Sequence, residues 1–218
     1  MMDRPADEGR VILVDKPLGW TSFDVVNKIR RKLGIKKVGH AGTLDPLATG
    51  LLIICTGKKT REIEQFMGLD KAYTGTMVLG AETPSGDLET EPITVANPSA
   101  LKEDQIHEAA RAFTGEITQI PPAHSAVKVG GTPAYVLARK GKPVALKPRT
   151  VHIHEFEITG INLPHVQFSV TCSKGTYIRS LVRDFGAYLK VGAYLSALRR
   201  TRIGDFHVED ALPIEAIE

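Results

Sequence analysis

Asp45 stands in the run Val38-Gly39-His40-Ala41-Gly42-Thr43-Leu44-Asp45-Pro46-Leu47-Ala48-Thr49-Gly50, a single carboxylate in a glycine-punctuated loop. The glycines allow backbone conformations closed to other residues, while Pro46 fixes its own φ and biases Asp45 away from the α region. The strand-like run Leu51-Leu52-Ile53-Ile54-Cys55 follows at once, so the loop is anchored on a buried element and its carboxylate can be aimed. The competing reading of a lone Leu-Asp-Pro is a turn in which Asp45 caps the backbone through an Asx contact. Two other runs offer chemical partners: Lys71-Ala72-Tyr73, and Cys172-Ser173-Lys174-Gly175-Thr176-Tyr177-Ile178-Arg179. The latter ends a strand, turns at Gly175 and opens a helix, where a basic side chain can be directed into a cleft. Its plainer reading is a helix start with an exposed arginine.

The elements that must position these residues are legible in outline. Residues 9–14 read as a strand ending at Asp15-Lys16-Pro17. Thr21 or Ser22 then offers an N-cap, with Asp24 placed to form a capping box, and a helix runs through Leu33 with Val25, Val26, Ile29 and Leu33 on one face. Lys28, Arg30, Arg31 and Lys32 gather at its C-terminal end, where the helix dipole already favours cations, and Lys36 and Lys37 follow. Residues 60–67 predict a short helix, 71–80 a strand, and Thr83-Pro84-Ser85-Gly86-Asp87 a turn. After Asn97-Pro98-Ser99, an amphipathic helix carries Ile106, Ala109, Ala110 and Phe113 until Thr114-Gly115 stops it. From Ile120 to Arg149, proline, glycine and lysine dominate and only 134–140 predicts a brief helix, so this stretch reads as a mobile excursion. Residues 151–163 and 166–173 predict a hairpin, 177–189 a helix with Ile178, Leu181, Val182 and Phe185 on one stripe, and 193–206 a strand carrying Arg199, Arg200 and Arg202.

The totals bound the class. A chain of 218 residues with 42% hydrophobic and 24% charged residues can bury one substantial core, and no apolar run approaches the roughly 20 residues of a membrane span. The first eight residues lack an apolar signal segment and the two cysteines give no disulfide framework, so a reducing cytoplasm is expected. A net charge of +3 does not by itself demand a nucleic-acid partner, but the basic residues are clustered.

Taken together, Gly39 to Pro46, Lys71-Ala72-Tyr73, Gln119-Ile120-Pro121-Pro122 and Cys172 to Arg179 resemble, in order, the motifs of the bacterial TruB family of tRNA pseudouridine synthases. The resemblance spans residues 11–206. It implies an α/β (α+β) catalytic fold around a central, mainly antiparallel sheet flanked by helices, and conversion of uridine 55 in the tRNA T loop to pseudouridine without metal or cofactor. Asp45 then matches the essential carboxylate, Tyr73 the tyrosine packed on the target uracil, and Arg179 the arginine that pairs with the aspartate. His40, Tyr177, Leu198 and Lys16 match substrate-binding positions: His40 toward the displaced nucleotide, Leu198 lining the uracil pocket. Residues 9–210 correspond to the catalytic domain, with 121–149, rich in lysine and arginine, as an RNA-gripping insertion. One carboxylate can suffice for this chemistry, because uracil leaves as a delocalised anion and is itself the returning nucleophile, whereas glycoside hydrolysis ordinarily uses two. The uridine must also be flipped out of its stack, and an aromatic ring offsets part of the lost stacking.

Departures and rivals accompany this resemblance. Family members commonly continue into a small RNA-binding domain, whereas here 211–218 reads as a C-terminal tail with that domain absent, a loss expected to weaken contact with the acceptor arm. The 83–87 turn lacks the more usual Thr-Asp-Thr pattern. A phosphate-loop enzyme is disfavoured because Gly50 and Gly57-Lys58-Lys59-Thr60 are misspaced, and a zinc site because Cys55, Cys172 and the His152/His154 pair lack ligand spacing. A noncatalytic tRNA-binding module would use the basic clusters but would not need Asp45, Tyr73 and Arg179 together. The catalytic subunit of a guide-RNA pseudouridylation complex is the rival enzyme; the bacterial-type insertion and the missing appended domain favour a stand-alone enzyme acting on tRNA, and a monomer is expected.

Overall fold

The computed structural model describes residues 8–218, and their contacts divide into two units: one formed by the chain up to Tyr73 together with Leu198–Glu218, the other by Thr74–Ala197.

In the first unit, strand β1 (Val11–Lys16) alternates buried and half-buried positions and leads to helix α1 (Ser22–Leu33). Thr21 is the N-cap: its hydroxyl accepts from the Asp24 N–H while Asp24 accepts from the Thr21 N–H, the reciprocal box its sequence predicts, contributing about 1 kcal/mol. Gly34 ends the helix in the left-handed conformation at φ 64°. The buried α1 face packs with Ile12, Val14, Leu52 and Ile54, and Ile214 and Ile217 from the C-terminal segment join that cluster. Strand β2 (Val38–His40) and strand β3 (Ala48–Thr56) follow, with a 3₁₀ turn (Gly57–Glu62), helix α2 (Ile63–Gly68) and the first residues of β4 (Lys71–Leu79). β3 is buried along nearly its whole length because β1 and β2 pair with it antiparallel, and its opposite face meets Ile203, Val208 and the α2 side chains Ile63 and Phe66.

The second unit takes in the rest of β4, the short pair β5 (Ala81–Glu82) and β6 (Ile93–Thr94), helix α3 (Glu103–Ala112) and strand β7 (Gly115–Gln119). Within 121–149 lie a small hairpin, β8 (Lys128–Val129) and β9 (Thr132–Pro133), and helix α4 (Ala134–Ala138). β10 (Arg149–Asn162) and β11 (His165–Cys172) form the expected hairpin, followed by α5 (Ile178–Tyr188). β7 pairs antiparallel with β10, and the order in this unit is β12, β4, β11, β10, β7. The chain returns through β12 (Ala193–Ile203), whose last residues belong to the first unit, and ends with β13 (Phe206–His207) and two 3₁₀ turns. Among the described residues the pairings are mostly antiparallel; Leu198, Arg199 and Arg200 run parallel to Ala48, Thr49 and Gly50, which brings β12 beside the Asp45 loop.

Among the described residues no helix is long and apolar enough to cross a membrane.

Candidate active site

Asp45 is half-buried in a loop whose backbone is tied down from two directions. From below, Ser22 straddles Leu44: its hydroxyl accepts from the Leu44 N–H at 2.9 Å and donates to the Leu44 carbonyl at 3.2 Å. The Gly19 N–H donates to the Pro46 carbonyl at 2.8 Å, and the Ala48 N–H closes the turn on the Asp45 carbonyl at 3.0 Å. The Lys16 ammonium, on a residue with no exposed surface, donates to the Pro17, Trp20 and Pro46 carbonyls at 3.0, 2.6 and 3.4 Å. From above, Arg200 is 1% exposed and sends Nε to the Leu51 carbonyl at 2.8 Å and its two terminal nitrogens to Thr43 and Gly42 carbonyls at 3.4 and 3.1 Å. Gly50 makes this approach possible, since a Cβ there would stand 2.3 Å from the Arg200 carbonyl oxygen and its φ is +101°.

Two buried cations therefore flank the loop, and their charges compete. Burial pushes the Lys16 amine down to about 8, Asp45 pulls it back up, and Arg200 adds to the depression. At neutral pH Lys16 still carries its proton. His40, half-buried on β2, is held below its usual value by burial first and Arg200 second, against a backbone contact with Gly42 that raises it. Burial and the Arg200 charge both favour the neutral ring, and Nδ1 has no hydrogen-bond partner among the described residues.

Two further sequence-predicted residues lie in this first unit. Tyr73, on β4, is buried, and Leu198, half-buried on β12, is in register with Ala48, three residues after Asp45. β3 begins at Ala48 rather than at Leu51, because Ala48, Thr49 and Gly50 find partners on β12. Beside them, Arg199 makes a two-pronged ion pair with Asp15 at 3.0 and 2.7 Å, which raises the Arg199 pKa.

Arg179 and Tyr177 lie in the second unit. Gly175, at φ +79°, turns the chain after β11, and Thr176 donates to the Ser173 carbonyl. The Gln119 side chain clamps Tyr177, accepting from its N–H at 3.1 Å and donating to its carbonyl at 3.3 Å, so an amide from β7 fixes the backbone at the α5 start. The Arg149 guanidinium lies over the Tyr177 ring at 5.3 Å. Arg179 is 5% exposed. It donates to the Ser85 carbonyl at 2.9 Å and the His124 carbonyl at 2.8 Å, and its Nε is 3.6 Å from the Asp87 carboxylate. The 83–87 turn, which lacks the more usual Thr-Asp-Thr pattern, is thus part of the bed in which Arg179 lies. Thr83 and Ser85 hydroxyls both donate to the Asp87 carbonyl, and Asp87 in turn accepts from the Glu89 N–H.

The basic insertion is tied to the same bed. The Tyr135 N–H donates to the Ser125 carbonyl at 3.0 Å, next to the carbonyl that receives Arg179, and Arg139 pairs with Glu89 at 2.6 Å.

Sequence reasoning singled out Asp45, Tyr73, Arg179, His40, Tyr177, Leu198 and Lys16, and the two units hold them as described. It missed Arg200, Ser22 and Asp87 as structural partners. Ser22 carried a signal as a cap candidate, and Asp87 as a turn residue; Arg200 carried none beyond its place beside Leu198.

Residues 30–178 match the TruB family pseudouridylate synthase N-terminal domain, and 179–218 match the tRNA pseudouridylate synthase B C-terminal domain. The chain is 54% identical over 215 residues to tRNA pseudouridine synthase B of Phocaeicola vulgatus, covering 96% of this chain and 92% of that protein. It is 51% identical to the protein of the same name from Flavobacterium johnsoniae, covering 97% and 95%. Among solved structures, a Cbf5-Nop10-Gar1 complex aligns with TM-score 0.74 at 33% identity, and an H/ACA RNP bound to a substrate RNA containing 2'-deoxyuridine with TM-score 0.72 at 32%. Each covers 97% of this chain, which spans about half of those longer chains, 55% and 54%. The fold, the motif order and these matches agree: the chain belongs to the TruB family of pseudouridylate synthases.

Proposed function

We propose that this chain acts as a cytoplasmic monomer that isomerises uridine 55 in the T loop of tRNA to pseudouridine, with Asp45 as the essential group. The observation that carries the reading is the Asp45 loop itself: a half-buried carboxylate on a backbone held by Ser22, Lys16 and Arg200, in a chain about half identical to tRNA pseudouridine synthase B over nearly its full length. That identity exceeds the 32–33% shared with the guide-RNA complexes, which favours a stand-alone tRNA enzyme over a subunit of such a particle.

In the proposed reaction the N1–C1′ bond breaks, the uracil turns while bound, C5 joins C1′, the C5 hydrogen leaves as a proton, and the freed N1 takes up a proton from solvent, so that the product is an isomer. Asp45 works as an anion, and the neighbouring Lys16 and Arg200 charges, with Arg179 as its guanidinium partner by resemblance, favour that form. Tyr73 stacks on the flipped uracil, Leu198 keeps the pocket dry, and the neutral His40 ring and Tyr177 contact the displaced nucleotides. Lys16 serves the substrate through the loop it holds rather than by direct contact. Residues 121–149 grip the RNA, with Arg139 exchanging Glu89 for phosphate.

Mapping pseudouridine in tRNA after incubation, by carbodiimide marking and reverse transcription, tests the position. A single new stop reporting residue 55 is expected. No stop, or a stop confined to other uridines, would overturn the assignment.

A further inference from the structure

One strongly charged face takes no part in the site described above. Arg31 and Lys32 at the end of α1, Lys36 and Lys37 before β2, and Lys58 and Arg61 in the 3₁₀ turn after β3 are all exposed. These three segments meet: Arg30 donates to the Val38 carbonyl at 3.4 Å, the Gly57 N–H donates to the Lys37 carbonyl at 2.8 Å, and Gly39 lies against Ile63. Among the described residues none of the six cations has a carboxylate within ion-pair distance, whereas Lys59 in the same turn is paired with Glu62 at 2.7 Å. The helix dipole accounts for cations in the last turn of α1. It does not reach Lys36, Lys37, Lys58 and Arg61, which lie outside the helix.

Like charges gathered without counter-charges repel one another, so the face favours an anion over an ordinary protein surface of mixed sign. Exposed lysines spread over three segments suit a line of phosphates better than a single small anion, which needs a built pocket. The face is also remote from Asp45. Ser22, at the N-terminal end of α1, touches Leu44 in the Asp45 loop, while Arg31 and Lys32 stand in the last turn of the 12-residue helix, about 14–15 Å away along its axis. A nucleotide held at Asp45 therefore cannot supply these phosphates itself, and a polymer can. We propose that this face docks the phosphodiester backbone of RNA, giving the tRNA of the reading above a second attachment point about one α1 length from the Asp45 loop.

The test is a fourfold variant, Lys36→Gln/Lys37→Gln/Lys58→Gln/Arg61→Gln, whose side chains make no hydrogen bond in the described structure. Binding to tRNA is measured against salt concentration, and kinetics on the same tRNA are followed. Each cation that neutralises one phosphate contributes roughly 0.7 to 0.9 to the slope of log K against log salt, so four should lower it by roughly 3. KM should rise at least about tenfold at physiological salt. An unchanged slope and KM would show a merely solvated face, or one serving another partner, and would overturn the proposal. Duplex RNA of unrelated sequence is the second probe. Phosphate docking does not depend on sequence, so wild type should bind it more tightly than the variant even if the tRNA reading fails, and equal binding would again overturn the proposal.

Discussion

The Asp45 loop and the Arg179 bed restrain their central residues in opposite ways. In the first, buried side chains donate into the loop's carbonyls: Lys16 into Pro46, Arg200 into Gly42 and Thr43, Ser22 into Leu44, so it is the backbone carrying Asp45 that is fixed. In the second, the side chain of Arg179 is itself the donor, sunk into carbonyls of Ser85 and His124 beside Asp87. A carboxylate meant to meet a substrate is aimed by fixing what lies behind it, whereas a guanidinium can be aimed by saturating its own far side. The two regions should therefore fail differently when their supports are removed.

The largest effect is expected at Arg200. Arg200→Met leaves the Leu51, Thr43 and Gly42 carbonyls without their buried donor, and at 1–3 kcal/mol for an unmade buried hydrogen bond the loss should reach about 3–5 kcal/mol. Denaturant unfolding should show it, and activity should fall with stability. Next comes Asp87→Asn, which keeps the acceptor for the Glu89 N–H but removes the charge facing the Arg179 Nε inside the protein. A loss of about 2–3 kcal/mol is expected, smaller than for full truncation of a buried pair, together with a fall in kcat. If Asp87→Asn proves as mild as an exposed ion-pair change, the Arg179 bed is not held by charge. Ser22→Ala should cost about 1–2 kcal/mol by freeing Leu44. Its signature is a loss of rate in folded protein, because it loosens the loop one residue from Asp45. A proportional loss of stability and rate would instead place Ser22 with Arg200 as a general support.

A pH dependence is expected as well. Lys16 gives up its proton near pH 8 in the folded protein and near 10.5 in the unfolded chain, so between those values the unfolded chain binds more protons and this group's contribution to stability rises with pH. The unfolding midpoint of wild type relative to Lys16→Met should climb across that window. A flat difference would mean that the Lys16 amine is not perturbed by burial in the loop's frame.

How much of this was legible beforehand varied with sequence distance. The α1 cap was readable because Thr21 and Asp24 are three residues apart, and the β10–β11 hairpin because its alternation and turn are contiguous. Strand β7 was missed: Gly115 read as a helix stop, and its pairing with β10 is not visible locally. Inside 121–149, the Gly130-Gly131 turn of the β8–β9 hairpin was available as a signal but was submerged in a proline- and lysine-rich stretch. In the site, Asp45 announced itself through its glycines and Pro46. Arg200 did not, since its acceptors lie about 150 residues earlier and only the parallel register of β12 with β3 brings them within reach. The 83–87 turn was recognised as a turn, yet that it beds Arg179 required the fold.

The most direct test of the central claim is tritium release from tRNA labelled at uracil C5, comparing wild type with Asp45→Asn. Isomerisation expels that hydrogen and binding alone does not. Release by wild type and none above background by Asp45→Asn, at matched tRNA binding, is the predicted result. Equal release by both would remove Asp45 from the centre of the chemistry, and no release by either despite tight binding would make this a tRNA-binding protein rather than an enzyme.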